Sequence, residues 1–414
     1  MLSPDETHED VRGGRGPWHA GYSLSHAPLD RDRHCEVLVV GAGITGALVA
    51  QHLAAEGRDV CVIDRERPGL GSTAASTAML LWEIDKPLTT LTAIYGFERA
   101  ARVYRQSLAA VAGLHDLIRR NRLSCSFRPR SSLYLAAGDT GARALLAEHE
   151  LRRQAGLPGS FLDYRTLRSE YGFDREAALL SPGAADADPL CMARGLMTEA
   201  VGAGAAFFSA DAVRYEDGGK TVAITTGDGP TIEADWVVLA TGYTMPEFGR
   251  SPLHSISSSW AIATPPQDRS RLWRDGVLIW EAATDYLYAR TTADGRIVIG
   301  GEDDSAITEP EQRDAATPTK SETLLARLRA LQPAADAVAD KAWSGAFGQA
   351  CDGLPLIGAV PGRPRTLAAY GYGGNGITFS YLASRLLGSV IAGRRPAELE
   401  DYSLERPVPP LPQE

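Results

Sequence analysis

The stretch VLVVGAGITG, residues 37–46, decides the fold of this 414-residue chain. Its first four residues form a continuous apolar run, which predicts a strand buried on both faces of a parallel sheet. The glycine-rich turn leads into residues 44–56, whose apolar spacing predicts a helix that Gly57 closes. Residues 59–64 (DVCVID) predict a second buried strand. Together these elements predict one complete βαβ unit.

The turn between this strand and this helix has the glycine spacing of a dinucleotide site. Gly41 permits the tight turn, Gly43 lets a pyrophosphate approach the backbone, and Gly46 lets helix and strand pack closely. The pyrophosphate is expected at the helix amino terminus, where free N–H groups and the helix dipole stabilise negative charge. Asp64 ends the second strand and is expected to accept hydrogen bonds from the adenosine ribose. A glycine triplet alone is a weak signal, but this combination predicts a bound nucleotide.

Composition limits the function further. The net charge of −10 gives no field that favours nucleic acid or an anionic membrane. The five cysteines lack CxxC spacing and the histidines are isolated, so neither a disulfide framework nor a metal site is expected. No apolar stretch is long enough to span a bilayer, and residues 1–34 lack the apolar core of a signal peptide. We expect a cytoplasmic protein without an integral membrane segment or a nucleic-acid partner.

The rest of the chain places strands between two regions of strand–helix alternation. Asp294-Gly295 is a hairpin signal between two of the predicted strands. Helices are predicted over residues 97–121, 141–155, 320–331 and 377–392, and strands over 221–225, 232–240, 256–264, 277–280, 286–290 and 296–300. This order suggests a nucleotide domain built from separate pieces of the chain, with a second domain inserted between them.

Three further segments bear on the identity of the nucleotide. Residues 71–77 (GSTAAST) combine glycine with small hydroxyl side chains, which suit a backbone that passes against phosphate. Residues 236–242 (WVVLATG) are an apolar strand that ends in small residues. A second glycine-rich turn, residues 371–378 (GYGGNGIT), opens the last predicted helix after the segment at residues 343–358. With these motifs in this order, the chain resembles the D-amino-acid oxidase, glycine oxidase and sarcosine oxidase superfamily, the DAO family.

The resemblance implies an α/β protein with a discontinuous Rossmann-like FAD-binding domain and a mixed β-sheet substrate domain. Residues 35–95, 185–255 and 340–400 are assigned to the first domain, and 96–184 and 256–339 to the second. Residues 1–34, with Trp18 and Tyr22 docking on the surface, and 401–414 are expected to be tails. The residues expected to contact FAD are Gly41, Gly43, Ile44, Thr45, Gly46, Asp64, Arg65, Gly71, Ser72, Thr73, Ser76, Thr77, Ala78, Met79, Val213, Ala240, Thr241, Gly242, Gly373, Gly374, Asn375, Gly376, Ile377 and Thr378.

The chain departs from the family pattern at both arginines that clamp a substrate carboxylate. Phe347 and Gly374 occupy the matching positions, and neither can replace a guanidinium fork. Tyr286 matches a family position in the substrate pocket, and Tyr288 lies on the same strand face. Arg290 is a candidate replacement cation, although a structural arginine is the favoured interpretation. Glu83 is a further candidate, for a substrate ammonium, against the commoner role of a solvated or capping glutamate.

Two residues found in sarcosine-oxidase-like members are replaced at the matching positions of this chain. Where sarcosine-oxidase-like members attach FAD through a cysteine, this chain has Gly345, so we expect non-covalent FAD and Cys351 as an ordinary buried residue. Val298 stands where that branch has an oxygen-activating lysine, which leaves oxidase and dehydrogenase both open.

The resemblance implies oxidation of a C–N bond in a small amine or amino-acid derivative, by hydride transfer to flavin N5, with O2 or a carrier as electron acceptor. The missing clamps favour an amine, an N-alkyl compound or a larger amino-acid derivative. Two alternatives stay open, an NAD(P)-dependent dehydrogenase and a non-catalytic FAD-binding subunit of a larger complex.

Overall fold

The computed structural model describes residues 11–18, 24 and 26–408. The longer helices are α1 (Ile44–Ala55), α2 (Ser72–Ala75), α3 (Leu88–Tyr95), α4 (Phe97–Arg120), α5 (Ala142–Gln154), α6 (Tyr164–Tyr171), α7 (Pro189–Gly202), α8 (Pro310–Leu331) and α9 (Gly376–Ile391). Short 3-10 turns occupy Glu247–Gly249, Arg269–Arg271, Arg274–Gly276, Gly373–Asn375 and Ala397–Tyr402.

The strands form two large sheets. They are β1 (Arg12–Gly14), β2 (Ala27–Pro28), β3 (Arg33–Val40), β4 (Val60–Asp64), β5 (Met79–Leu80), β6 (Arg128–Ala136), β7 (Ser160–Asp163), β8 (Ala177–Asp186), β9 (Ala206–Ser209), β10 (Ala212–Asp217), β11 (Val222–Thr226), β12 (Thr231–Leu239), β13 (His254–Ala263), β14 (Leu278–Ala282), β15 (Leu287–Thr291), β16 (Ile297–Asp304), β17 (Lys341–Ala350), β18 (Leu356–Val360) and β19 (Arg363–Tyr370).

The nine-stranded sheet has the parallel centre that the βαβ pattern predicts. Its strand order is β10-β11-β12-β3-β4-β9-β2, with β19 pairing in parallel beside β12 and β18 pairing with β19. The central residues of β3, Val37 to Val39, are completely buried, as expected for a strand covered on both faces. Helix α1 packs against α7 and α9 over one face of this sheet. The α/β fold with a Rossmann-like sheet is therefore confirmed.

The ten-stranded sheet is mixed and carries the opposite wall of the site. Its order is β1-β17-β13-β16-β15-β14-β6-β8-β5, with β7 pairing with β8. The predicted hairpin at Asp294-Gly295 joins β15 to β16. Helix α8 packs on β13, β16 and β17 and begins at Pro310, ten residues earlier than predicted. It continues through Pro318 because packing on the sheet outweighs the local cost of an interior proline.

The segment expected to be an amino-terminal tail docks on the rest of the protein. β1 pairs antiparallel with β17, and Nε1 of Trp18 donates to the carbonyl of Ser76 at 2.8 Å. The Trp18 ring packs with Leu70 and Leu190, whereas Tyr22 lies outside the described residues. The division into domains by residue range stays a prediction.

Candidate active site

A cavity of about 380 Å³ lies between the two sheets and brings both glycine turns together. Of the residues expected to contact FAD, all except Gly46, Val213 and Thr378 line it. Gly46 serves packing instead, because a Cβ there would lie 1.8 Å from the carbonyl oxygen of Gly41. Val213 is 58% exposed, and its neighbour Ala212 faces the cavity. The Thr378 hydroxyl donates to the carbonyl of Leu81 at 2.9 Å.

The first glycine turn lies against two other segments of the chain, at Ala240 and at Thr73. Gly41 adopts φ +107°, and a Cβ there would lie 2.4 Å from the carbonyl oxygen of Ala240. The backbone N–H of Ile44 donates to Oγ1 of Thr73 at 3.0 Å, so the loop after β4 braces the start of α1. A Cβ on Gly43 would meet only that threonine hydroxyl, at 3.3 Å, so the backbone at Gly43 is open to the cavity.

Asp64 stands beside this turn at the end of β4. Its Oδ2 accepts the N–H of Ala42 at 2.6 Å, and its Oδ1 accepts the N–H of Glu66 at 2.8 Å. Burial raises the Asp64 pKa to about 6, although both N–H groups act in the opposite direction. A carboxylate offers about four acceptor positions, so two remain for ribose hydroxyls.

The second glycine turn is tied to residues 81–85, which follow the loop at residues 71–79. The side-chain amide of Asn375 donates to the carbonyls of Leu81 and Glu83, at 3.0 and 2.8 Å. The backbone N–H of Gly374 donates to Oδ2 of Asp85 at 2.7 Å. A Cβ at Gly376 would meet nothing within 4 Å, which leaves the amino terminus of α9 open to the cavity.

The cavity fits FAD on the geometry of these two turns. Helices α1 and α9 both begin at it, and neither has an acidic residue in its first turn, so both helix dipoles favour an anionic ligand there. The Thr45 hydroxyl bonds to Oγ of Ser380 at 2.8 Å, which joins the two helix starts. Arg65 is the single Lys or Arg among the described residues that line the cavity, and it lies beside Asp64.

The wall opposite the glycine turns is aromatic. Tyr286, Tyr288 and Phe347 line the cavity, as does Trp280 of β14. The Tyr286 hydroxyl donates to Oδ2 of Asp303 at 2.8 Å, and the rings of Tyr286 and Tyr288 are 6.0 Å apart. Desolvation raises the pKa of both tyrosine hydroxyls above the usual range, so both stay protonated at neutral pH.

Arg290 has the structural role that the sequence favoured over a substrate cation, whereas Cys351 differs from its expectation. Arg290 does not line the cavity: its Nη1 donates to the carbonyls of Thr77, Ala78 and Ala187 at 2.8 to 2.9 Å. It is a structural arginine that holds the loop at residues 71–79 through these carbonyls. Cys351 was expected to be buried but is exposed, because it lies in the turn after β17. No cysteine is among the described residues that line the cavity.

Sequence reasoning missed the two carboxylates nearest the aromatic wall, Asp85 and Asp303. Asp85 lines the cavity, and Asp303 lies directly behind Tyr286. Glu83, which was considered, is buried; its Oε1 accepts the Ser132 hydroxyl at 2.6 Å and lies 3.5 Å from Arg152. The available signal was the pattern LWEID at residues 81–85, in which two acids directly follow the loop at residues 71–79.

Two further observations concern metal binding and membrane insertion. Within residues 11–18, 24 and 26–408, no three or more His, Cys, Asp or Glu side chains gather where a metal ion would fit. Over the same residues, every helix is too short or too polar to cross a lipid bilayer.

A Rossmann-like sheet, a second mixed sheet and a cavity closed by two helix-opening glycine turns define an FAD-dependent oxidoreductase. Residues 36–389 match the model of the family DAO, FAD dependent oxidoreductase, and the chain belongs to that family. It is 25% identical over 409 residues to gamma-glutamylputrescine oxidoreductase of Escherichia coli, which covers 95% of this chain and 92% of that protein. FAD, rather than NAD(P), is thereby the cofactor.

Solved structures share the fold over nearly the whole chain. Glycine oxidase from Geobacillus kaustophilus superposes with a TM-score of 0.76 at 21% identity, covering 91% of this chain and 100% of that one. L-proline dehydrogenase from P. horikoshii gives a TM-score of 0.77 at 18% identity, covering 91% and 98%. Both structures support the arrangement of two sheets around one cavity.

Proposed function

We propose that the protein oxidises a C–N bond of a small amine or amino-acid derivative and releases an imine that hydrolyses in water. The observation that carries this proposal is the aromatic wall of Tyr286 and Tyr288, which faces both glycine turns across one cavity. The similarity to a protein named gamma-glutamylputrescine oxidoreductase supports an amine as the substrate. O2 or an electron carrier then takes up the electrons.

When bound, FAD supplies the acceptor for a hydride, at its N5 atom, from the carbon next to a neutral amine. The protein's contribution is to bind and orient the partners. The amino termini of α1 and α9 hold the negative charge of the cofactor, and Tyr286 and Tyr288 position the reacting carbon. Trp280 and Phe347 exclude water from the wall. The amine reacts in its deprotonated form, so the reaction needs no dedicated base, and neither histidine nor lysine is among the described residues that line the cavity.

An anaerobic flavin-reduction screen tests this function. The purified yellow protein is mixed with primary, secondary and tertiary amines and with amino acids, and loss of flavin absorbance is followed, with glycerol as the control that lacks nitrogen. We expect at least one amine to reduce the flavin and glycerol to leave it oxidised. Failure of every nitrogen compound to reduce it would contradict the proposed oxidation and favour a non-catalytic FAD-binding subunit. Reoxidation in air, compared with an artificial electron carrier, distinguishes an oxidase from a dehydrogenase.

A further inference from the structure

We propose that the substrate carries a second, protonated nitrogen and that Asp85 binds this ammonium group. The substrate class is then a diamine, a polyamine or a derivative that keeps one free ammonium, rather than a simple α-amino acid. This inference rests on the amine oxidation proposed above and names the substrate of the same cavity.

Asp85 presents unused acceptor capacity to the cavity. Asp85 is exposed and lines the cavity, and its Oδ2 accepts one hydrogen bond, from the N–H of Gly374. A carboxylate accepts about four hydrogen bonds, so most of its positions remain free. The adjacent Lys86 does not line the cavity; its side chain runs over Gly353, where a Cβ would lie 2.4 Å from Lys86 Cγ.

Glu83 is a second acidic residue at this part of the cavity. It lines the cavity and is 1% exposed, and its Oε2 is buried with no hydrogen-bond partner among the described residues. Its Oε1, in contrast, is satisfied by Ser132 and lies near Arg152. The Glu83 carboxylate is partly balanced by Arg152 and is not accessible from the cavity, so it contributes negative potential near Asp85 rather than a direct contact.

The aromatic wall adds a surface that suits the same ligand. Tyr286 and Tyr288 of this wall line the cavity, and the faces of tyrosine rings attract organic cations. Asp303 accepts the Tyr286 hydroxyl, and its Oδ1 is buried without a partner among the described residues. Asp303 does not line the cavity, so we assign it as a positioning residue that orients Tyr286 and adds negative potential.

The ammonium beside Asp85 cannot be the reacting group. A carboxylate stabilises the protonated form of an amine next to it and raises the pKa of that amine. Hydride removal requires the neutral amine, whose lone pair becomes part of the C=N bond of the imine. The nitrogen held by Asp85 therefore stays protonated while another nitrogen of the same molecule reacts. A substrate carboxylate at this end would face Asp85, since the single Lys or Arg among the described lining residues, Arg65, lies beside Asp64 at the first glycine turn.

Three compounds of equal length separate the possibilities: pentane-1,5-diamine, hexylamine and 6-aminohexanoate. They present an ammonium, a methyl group or a carboxylate at the end opposite the reacting amine. With the FAD-bound protein under anaerobic conditions, we expect the diamine to reduce the flavin with a second-order rate constant about 10- to 100-fold above that of hexylamine, as for one charge-assisted hydrogen bond. The carboxylate should be slowest. Equal rates for the diamine and hexylamine would overturn the inference.

Charge-removing variants locate the effect. Asp85→Asn should reduce the diamine preference to within about threefold, since the neutral amide loses the charge but keeps its shape. Asp303→Asn should lower kcat for both amines and change their ratio little, as a positioning residue would. Asp228→Asn, in an exposed turn, is the matched control and should retain the wild-type ratio. A wild-type ratio in Asp85→Asn contradicts the assignment.

The outcomes of the two proposals are separable. If no amine bleaches the flavin, the proposed oxidation fails, and the inference about Asp85 fails with it. If amines bleach it without regard to the far end of the molecule, the oxidation stands and only the inference about Asp85 fails. If Asp85→Asn does not fold with FAD, the salt dependence of the wild-type rates decides. The diamine preference should fall at high salt, and a salt-independent preference would overturn the inference.

Discussion

The carboxylate of Asp85 accepts the backbone N–H of Gly374 at 2.7 Å, across 289 positions of sequence. A Cβ on Gly374 would lie 2.7 Å from Oδ1 of Asp85, and one on Gly373 would lie 2.2 Å from Oδ2. The acid therefore fills the space over the second glycine turn, and that turn depends on glycine for the same reason. Four predictions follow from this contact and from three others described above.

Gly374→Ala should destabilise the FAD-bound protein in the wild-type background and cost little in the Asp85→Ala background. In the wild-type background the new methyl group displaces the Asp85 carboxylate, which is hydrogen-bonded to the turn. In the Asp85→Ala background that carboxylate is absent, so the methyl group has space. Because the two residues are in contact, a coupling energy of about 1–3 kcal/mol is expected. Denaturant unfolding of the four proteins measures it, and strictly additive effects would contradict the contact.

The Michaelis constant for a diamine should rise as the pH falls through about 6. Burial raises the Asp85 pKa to about 6, and the negative charge of Asp303 adds to the increase, whereas the Gly374 N–H and Lys86 act in the opposite direction. Below that pKa the carboxyl is neutral and no longer holds an ammonium, so KM should increase more steeply there, by about a further tenfold per pH unit beyond the increase caused by protonation of the reacting amine.

The Asp303 pKa is also raised by burial, although Ser259, Tyr286 and Lys320 oppose the increase and Glu302 adds to it. Protonation of Asp303 should affect kcat more than KM, because Asp303 orients Tyr286. Steady-state kinetics between pH 5 and 8 separate the two effects, with Asp85→Asn as the variant whose KM should follow protonation of the reacting amine alone. A wild-type KM profile no steeper than that of Asp85→Asn would argue against an ionised Asp85 in binding.

Asp64→Asn should weaken FAD binding and remove part of its pH dependence. The Asp64 pKa is raised to about 6 by burial, so in the FAD-free protein this carboxyl takes up a proton as the pH falls from 7 to 5. A neutral carboxyl is a poorer acceptor for ribose hydroxyls, and the Kd of FAD should therefore increase over that range. Flavin fluorescence measures the Kd, and the expected loss in the variant is about 1–3 kcal/mol at pH 7.

The matched control for this variant is Asp59→Asn, which alters an exposed acid just before the same strand. Its Kd for FAD should equal that of the wild-type protein. Linkage gives the sign for stability: a carboxyl whose folded pKa is raised opposes folding above that pKa, so the FAD-free protein should gain stability as the pH falls toward about 5.

Trp18→Ala should loosen the loop at residues 71–79 and speed FAD release. The Trp18 indole donates to the carbonyl of Ser76, its ring packs on Leu70, and the Arg290 guanidinium lies 5.1 Å from the ring centroid. Loss of this buried side chain should cost about 3 kcal/mol in unfolding free energy. Trp18→Phe is the conservative control, because it keeps the packing and loses only the N–H. Thermal unfolding with and without FAD should show a smaller change for phenylalanine than for alanine.

Much of the FAD-binding part of the site could be predicted from local sequence. The strand, glycine turn and helix at residues 37–56 predict their own structure, because burial and backbone requirements act over adjacent residues. The turn at residues 371–378 was identified by resemblance, and the structure places it across the same cavity. Helices α4, α5 and α9 were predicted to within two residues at each end, because their apolar spacing is regular.

The substrate side could not be predicted in the same way. The role proposed for Asp85 depends on residues 81–85 lying under residues 373–375, a contact that neither segment encodes alone. Strands β6 and β8 were missed because they lie between helices in a stretch without hairpin signals. Arg290 at a strand end resembled a ligand-binding cation, and only its three carbonyl partners show that its donors are occupied.

The short strand β1 has a consequence for how the molecules behave toward one another. The ten-stranded sheet ends in β1, with three residues, on one side and β5, with two residues, on the other. The exposed margin of β17 would otherwise offer a ladder of unpaired N–H and C=O groups to a neighbouring molecule. Removal of residues 1–14 should therefore promote self-association in concentrated solution. Recombinant versions of the protein are best kept intact at the amino terminus.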